Sequence, residues 1–216
     1  MLLFIIRDSR IANDCAIIFL QRGADMLKSQ DIVILLKMLA IRGLLEENSD
    51  KLFSQSQLAT HLCMSASEVN AGIKRLIQAG LLGLVYKEEL LQRFPRNRIL
   101  QPVVKACEEC LISAVKYFFP GELGEYNRGI VTSYAAPVFE KQITLGNDPV
   151  PIWPYAEGNT LGLALEPLYP SVPKSIMQYP DPAFYDLLTL IDAIRSGRAR
   201  ERNMAVTLLR EKLNEK

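Results

Sequence analysis

Residues 66–79 carry polar side chains at the spacing of one helix face, opposite an apolar face that must pack inward. The polar face combines small, amide and cationic side chains. Small side chains allow a helix to enter the major groove of DNA, amides read base edges, and cations pair with phosphates. The candidate DNA-contacting residues of this helix are Ser67, Asn70, Ala71, Lys74, Arg75 and Gln78.

Two capping boxes define where this helix and its predecessor begin. In Ser54–Gln57 and again in Ser65–Glu68, the serine can accept from the third helical amide, and the Gln or Glu can reach back. These patterns predict a short helix over 55–62, a turn, and a longer helix that ends at Gly80. An apolar run predicts a preceding helix over 29–42.

A basic hairpin is expected after the longer helix. Residues 82–87 are apolar and favour a strand, and residues 97–101 can return as its partner. Residues 67–105 hold seven cations and three anions, a local net charge of +4 in a chain of net charge +1. This charge predicts a wing over 82–101 that touches the DNA backbone. Its candidate contacts are Arg93, Arg96 and Arg98.

The stretch FSQSQLATHLCMSASEVNAGIKRLIQAGLL resembles the helix-turn-helix of MarR-like winged-helix regulators. The resemblance implies a bacterial transcriptional regulator that binds double-stranded DNA as a homodimer, with a winged helix-turn-helix over 28–118. Cys63 stands where a glycine is common in that family, and its compact side chain suits the turn. The matching residues are Ser54, Leu58, Ala59, Ser65, Val69, Leu76, Gly80 and Leu81.

The C-terminal half resembles the second half of a group of bacterial winged-helix proteins of poorly defined function. The similar strings are KYFFPGELG, RGIVTSYAAPVFE, PIWPYAEGNTLGLALEPLYPSVP and FYDLLTLIDAIRSGRARERNMAVTLL. Leu161 stands where that group is expected to have a basic residue. The resemblance implies a dedicated module but not its ligand. Separately, we expect an effector, either a small molecule or a protein, at this module.

Proline divides the chain by composition. Ten of its 12 prolines lie between Pro120 and Pro182, and they deny the backbone helical hydrogen bonds. The fold class expected is therefore mainly α (α+β), with a winged helix-turn-helix over 28–118. The module over 119–216 would be a proline-rich irregular segment followed by two helices, the first capped by Asp181 with a proline after it.

Little in the sequence favours catalysis, a metal or a membrane. The CxxC motif of Cys107 and Cys110 has no second cysteine pair, and His61 is the only histidine. We therefore expect no enzyme activity, metal or cofactor. The apolar runs of the N-terminus are too short to cross a bilayer, so a cytoplasmic protein is expected.

Three alternatives stay open. Residues 1–27 are either an extension from a misassigned start or a dimer arm. The whole protein could also be an interaction adaptor whose winged helix does not bind DNA, which its near-neutral charge favours. An enzyme with a site in 120–180 is the remaining alternative.

Overall fold

The computed structural model describes residues 4–6, 26–42, 53–84, 98–146 and 148–214, and it is a mixed α/β protein. The chain divides into two compact units, Met1–Val104 and Lys105–Lys216. The boundary falls after Val104, the first residue of the helical segment over 104–118, which the sequence analysis grouped with the winged helix. None of the helices in the described ranges combines the length and apolar character needed to cross a membrane.

The first unit combines helices with a small sheet. Its helices follow the predicted bounds closely, because the signals that start them are local. Its described elements are β1 (Phe4–Ile6), α1 (Ser29–Arg42), β2 (Phe53–Ser54), α2 (Gln55–Leu62), α3 (Ala66–Gln78), β3 (Leu82–Leu84) and β4 (Arg98–Pro102).

Both predicted capping boxes are confirmed. Ser54 Oγ accepts from the Gln57 amide at 3.2 Å, and Gln57 Oε1 accepts from the Ser54 amide at 2.9 Å. The box that begins α3 closes in the same way, with distances of 3.2 and 2.8 Å between Ser65 and Glu68. Between the helices, Cys63 adopts a left-handed backbone with φ of 52°. That conformation, rather than compactness alone, explains why glycine suits this position.

Helix α1 is the centre of the first unit. Every residue from Asp31 to Ile41 is buried, so α1 has no solvent-facing side over this range. Helix α3 crosses it closely at Gly72, where a Cβ atom would lie 2.5 Å from Ile34 Cδ1 and 2.9 Å from Asp31 Oδ1. The apolar residues of α2 and α3 complete this core: Leu58, Ala59, Leu62, Val69, Ile73 and Leu76.

The sheet of the first unit has the strand order β2-β1-β4-β3. Strands β3 and β4 are antiparallel, with Leu84 opposite Leu100, as expected of a hairpin. Strand β1 lies between β2 and β4, parallel to the first and antiparallel to the second. Phe4–Ile6 therefore pair within their own chain, which neither hypothesis for residues 1–27 anticipated. Residues 7–25 lie outside the described ranges.

The second unit combines a long helical segment, three strands and three further helices. Its described elements are α4 (Val104–Glu109), a π-helical segment (Cys110–Ala114), α5 (Val115–Phe118), β5 (Leu123–Val131), two 3-10 turns (Ser133–Ala135 and Pro137–Phe139), β6 (Pro151–Pro154), β7 (Thr160–Leu165), α6 (Val172–Gln178), α7 (Pro182–Ser196) and α8 (Ala199–Asn214).

The proline-rich segment is more regular than the sequence analysis expected. Strand β5 is antiparallel to both β6 and β7, and β6 is parallel to β7, so the three strands close into a small barrel. Gly129 of β5 pairs with both other strands, opposite Pro154 and Thr160. A Cβ atom on Gly129 would collide with the Trp153 carbonyl, and Gly158 packs directly on the Gly129 backbone. Closure of so narrow a barrel therefore requires glycine.

Helices α7 and α8 are the two predicted C-terminal helices. Asp181 caps α7 by accepting from the Phe184 amide at 3.1 Å. On the buried side of α7, Asp192 accepts from Trp153 Nε1 at 2.6 Å and from Thr132 Oγ1 at 2.8 Å. Burial raises the pKa of Asp192, against the opposing effects of Arg195 and these two donors. This carboxylate ties α7 to the barrel.

Candidate nucleic-acid interface

The polar face of α3 carries the small, amide and cationic side chains that the sequence predicts for nucleic-acid recognition. Ser67 and Gln78, near its two ends, are exposed, and Asn70, Ala71 and Lys74 between them are half-buried. The opposite face is sealed against α1 and α2. The capping box fixes the start of the helix, and the β3–β4 hairpin follows its end.

Arg75 does not belong to this face, which corrects the prediction that it contacts phosphates. The residue is 7% exposed. Its Nε and Nη2 atoms each donate to the Asp31 carboxylate of α1 at 2.7 Å, which makes a bidentate ion pair. Gly72, one helical turn earlier, brings the two helices close enough for the guanidinium to reach. Arg75 therefore holds α3 against α1.

Asp31 is a functional residue that sequence reasoning missed. Its carboxylate also accepts from the Lys28 amide at 2.8 Å, so it serves both as a helix cap and as the counter-ion of Arg75. The available signals were an acid in the first turn of a mostly apolar helix and a glycine in the amphipathic helix. Neither signal identifies the partner, which lies 44 residues away in sequence.

Asn70 is the amide at the middle of the polar face. Its Oδ1 atom is buried and has no hydrogen-bond partner in the described part of the chain. A buried polar atom without a partner costs free energy, so a position like this one gains from a ligand that satisfies it. The two orientations of an amide differ only by exchange of oxygen and nitrogen. The assignment of Asn70 as a base contact stays a prediction.

The predicted wing is described only at its base. Strands β3 and β4 are present, but residues 85–97 lie outside the described ranges, and with them Arg93 and Arg96. Arg98 is the first residue of β4, and its side chain is also outside the description. The proposed contacts of these three arginines stay predictions.

The other candidates of the sequence analysis lie in the second unit. Cys107 is buried and Cys110 half-buried, both as thiols, and burial raises the pKa of Cys110, with Glu109 adding to the effect. Across the described ranges, no three or more His, Cys, Asp and Glu side chains converge as metal ligands would. Leu161 is 51% exposed on β7, where it pairs with Arg128 of β5.

Comparison with known proteins adds no relative. No family model matches the chain, and no curated protein or solved structure matches it.

Proposed function

We propose that this protein is a sequence-specific DNA-binding transcriptional regulator whose first unit is a winged helix-turn-helix. The observation that carries the proposal is the polar face of α3: it is accessible, it follows a capped helix and tight turn, and a hairpin succeeds it. A helix that is sealed on one side and presents small, amide and cationic groups on the other suits a major groove.

In the proposed complex, α3 enters the major groove and the wing contacts flanking phosphates. Ser67, Asn70 and Gln78 discriminate bases, and Ala71 allows close approach. Lys74 supplies a phosphate contact from α3, together with Arg93, Arg96 and Arg98 of the wing. Arg75 positions α3 without touching DNA. A cytoplasmic homodimer would place two such helices on half-sites about 34 Å apart.

The test is binding to DNA from upstream of the protein's own gene, measured by fluorescence anisotropy across a salt series. Lys74→Ala should weaken binding to every sequence and make the salt slope shallower by about 0.9, because one phosphate contact is lost. Asn70→Ala should instead reduce the preference for the specific site by about 1–3 kcal/mol. Lys141→Ala, an exposed cation of the second unit, is the matched control and should change neither quantity.

One observation favours the adaptor alternative. With Arg75 paired to Asp31, Lys74 is the cation that remains on the polar face of α3 among its described residues. An adaptor would bind upstream DNA and a scrambled duplex equally weakly, and its variants at Asn70 and Gln78 would leave that weak binding unchanged. That result would refute the proposal that the protein is a sequence-specific regulator.

A further inference from the structure

A groove of about 460 Å³ opens on the second unit, beside the two 3-10 turns that follow β5. Its apolar wall includes Phe139, Ile143 and Leu145, and Tyr134 contributes an aromatic ring with a hydroxyl group. Glu140 is the one carboxylate of the lining. The groove is therefore large enough for a small organic molecule and mostly apolar.

The wall of this groove is held in place by the residues behind it. Ser133, just before Tyr134, is fully buried and has a left-handed backbone with φ of 54°. Its Oγ lies 3.3 Å from Ser196 Oγ of α7, and the 3-10 turn packs on that helix. Farther along, the Ile143 amide donates to the Phe139 carbonyl at 2.9 Å. An unfavourable backbone conformation that the packing maintains points to a preformed surface.

Around the groove, the carboxylates of Glu140, Glu201 and Asp148 outnumber the cations of Arg198 and Lys141 by one. Burial raises the pKa of Tyr134, and the nearby carboxylates of Glu201 and Asp148 raise it further, while Arg198 opposes them. The phenol therefore stays neutral and can donate a hydrogen bond. Glu201 Oε2 accepts from the backbone amide of Arg198 at 2.7 Å, and Lys141 is exposed beside Glu140.

We infer that this groove binds a small organic cation with an apolar body. The ammonium group pairs with Glu140, and the body packs on Ile143, Leu145 and the ring of Tyr134. An aromatic ring beside a cation adds a favourable electrostatic contact of about 0.5–1 kcal/mol at an exposed site. The proposal does not depend on DNA binding, so either can fail without the other.

Three probes that share one ring test the ligand class by isothermal titration calorimetry on the full chain: benzylamine, benzyl alcohol and benzoate. Benzylamine should bind saturably in the millimolar range, benzyl alcohol should bind several-fold more weakly, and benzoate should bind weakest. Equal affinity for the three probes would overturn the inference, and so would the absence of saturable binding by benzylamine.

Variants of matched chemistry test the location. Glu140→Gln keeps the shape of the side chain and should weaken the binding of benzylamine about three- to fivefold. This factor corresponds to the loss of a solvent-exposed ion pair, which contributes up to about 1 kcal/mol. The same variant should leave the affinity for benzyl alcohol unchanged. Glu125→Gln, at an exposed position of β5, is the control for net charge. If Glu125→Gln weakens benzylamine binding as much as Glu140→Gln does, benzylamine responds to the net charge of the protein, and its assignment to this groove is wrong.

Discussion

Replacing Arg75 with Met should strongly destabilise the first unit. The Asp31 side chain has 0% exposure, and Arg75 supplies two of its hydrogen bonds, at 2.7 Å each. After Arg75→Met the carboxylate stays buried with only the Lys28 amide described as its donor. Removing one partner of a buried ion pair costs about 3–5 kcal/mol. Urea unfolding followed by far-UV circular dichroism measures this loss.

The double variant Asp31→Leu with Arg75→Met separates a structural role from DNA contact. It removes both charges, so the desolvation penalty disappears and apolar packing replaces the pair, which is often neutral or stabilising. The lost cap at Lys28 costs about 1 kcal/mol. We therefore expect a stability within about 2 kcal/mol of the wild type.

The DNA-binding salt slope of that double variant should equal that of the wild type. A slope shallower by about 0.9 would mean that Arg75 neutralises a phosphate, and the reasoning would fail. It would fail equally if Arg75→Met alone cost less than about 1 kcal/mol, the range of an exposed pair.

Three further predictions concern the caps, the barrel and the buried carboxylate. Ser65→Ala should destabilise the first unit by about 1 kcal/mol in urea unfolding, because it removes the side-chain acceptor that starts α3; a cost near that of the exposed control Ser56→Ala, in the first turn of α2, would contradict this. Gly129→Ala should cost about 3 kcal/mol or prevent folding, since its methyl group meets the Trp153 carbonyl, whereas Gly146→Ala, with open space around it, should be tolerated. The raised pKa of Asp192 means that its carboxyl group binds a proton more tightly in the folded state than in the unfolded state. Protonation of Asp192 therefore stabilises the fold fully below about pH 3.8, and this stabilisation is lost as pH rises through the folded-state pKa. Relative to Asp192→Asn, the wild type should therefore lose stability as pH rises above about 4, by at most about 1.4 kcal/mol per pH unit; a difference that is constant with pH would refute the shift.

Local chemistry made the starts of α2, α3 and α7 predictable. In each case the capping side chain and the amide that it satisfies are three residues apart. The left-handed backbone at Cys63 is also local. It was missed because the argument considered the size of the residue and not its φ angle.

Features that depend on distant partners could not be predicted. An arginine that flanks the polar stripe of an amphipathic helix can be either exposed or buried, and its position in the sequence does not decide which. Only the position of Asp31 on α1 decides the matter for Arg75. The insertion of Phe4–Ile6 between β2 and β4 likewise depends on strands far along the chain.

The proline-rich region shows a different limit of prediction from sequence. Prolines argued against helix in this region, which is wrong for α6, where Pro173 stands in the first turn, and they did not argue against strand. Pro151 and Pro154 stand at the two ends of β6, positions that a strand tolerates. Gly129 and Gly158 were the better signal, since closely packed backbones need residues without a Cβ atom.

The contact of α3 with α1 has a mechanical consequence. Gly72 removes the gap between the two helices, and the Asp31–Arg75 pair prevents one from sliding or rolling over the other. Tilting α3 alone would strand two opposite charges in an apolar interior. A signal that releases the proposed regulator from DNA would therefore have to shift the two helices together.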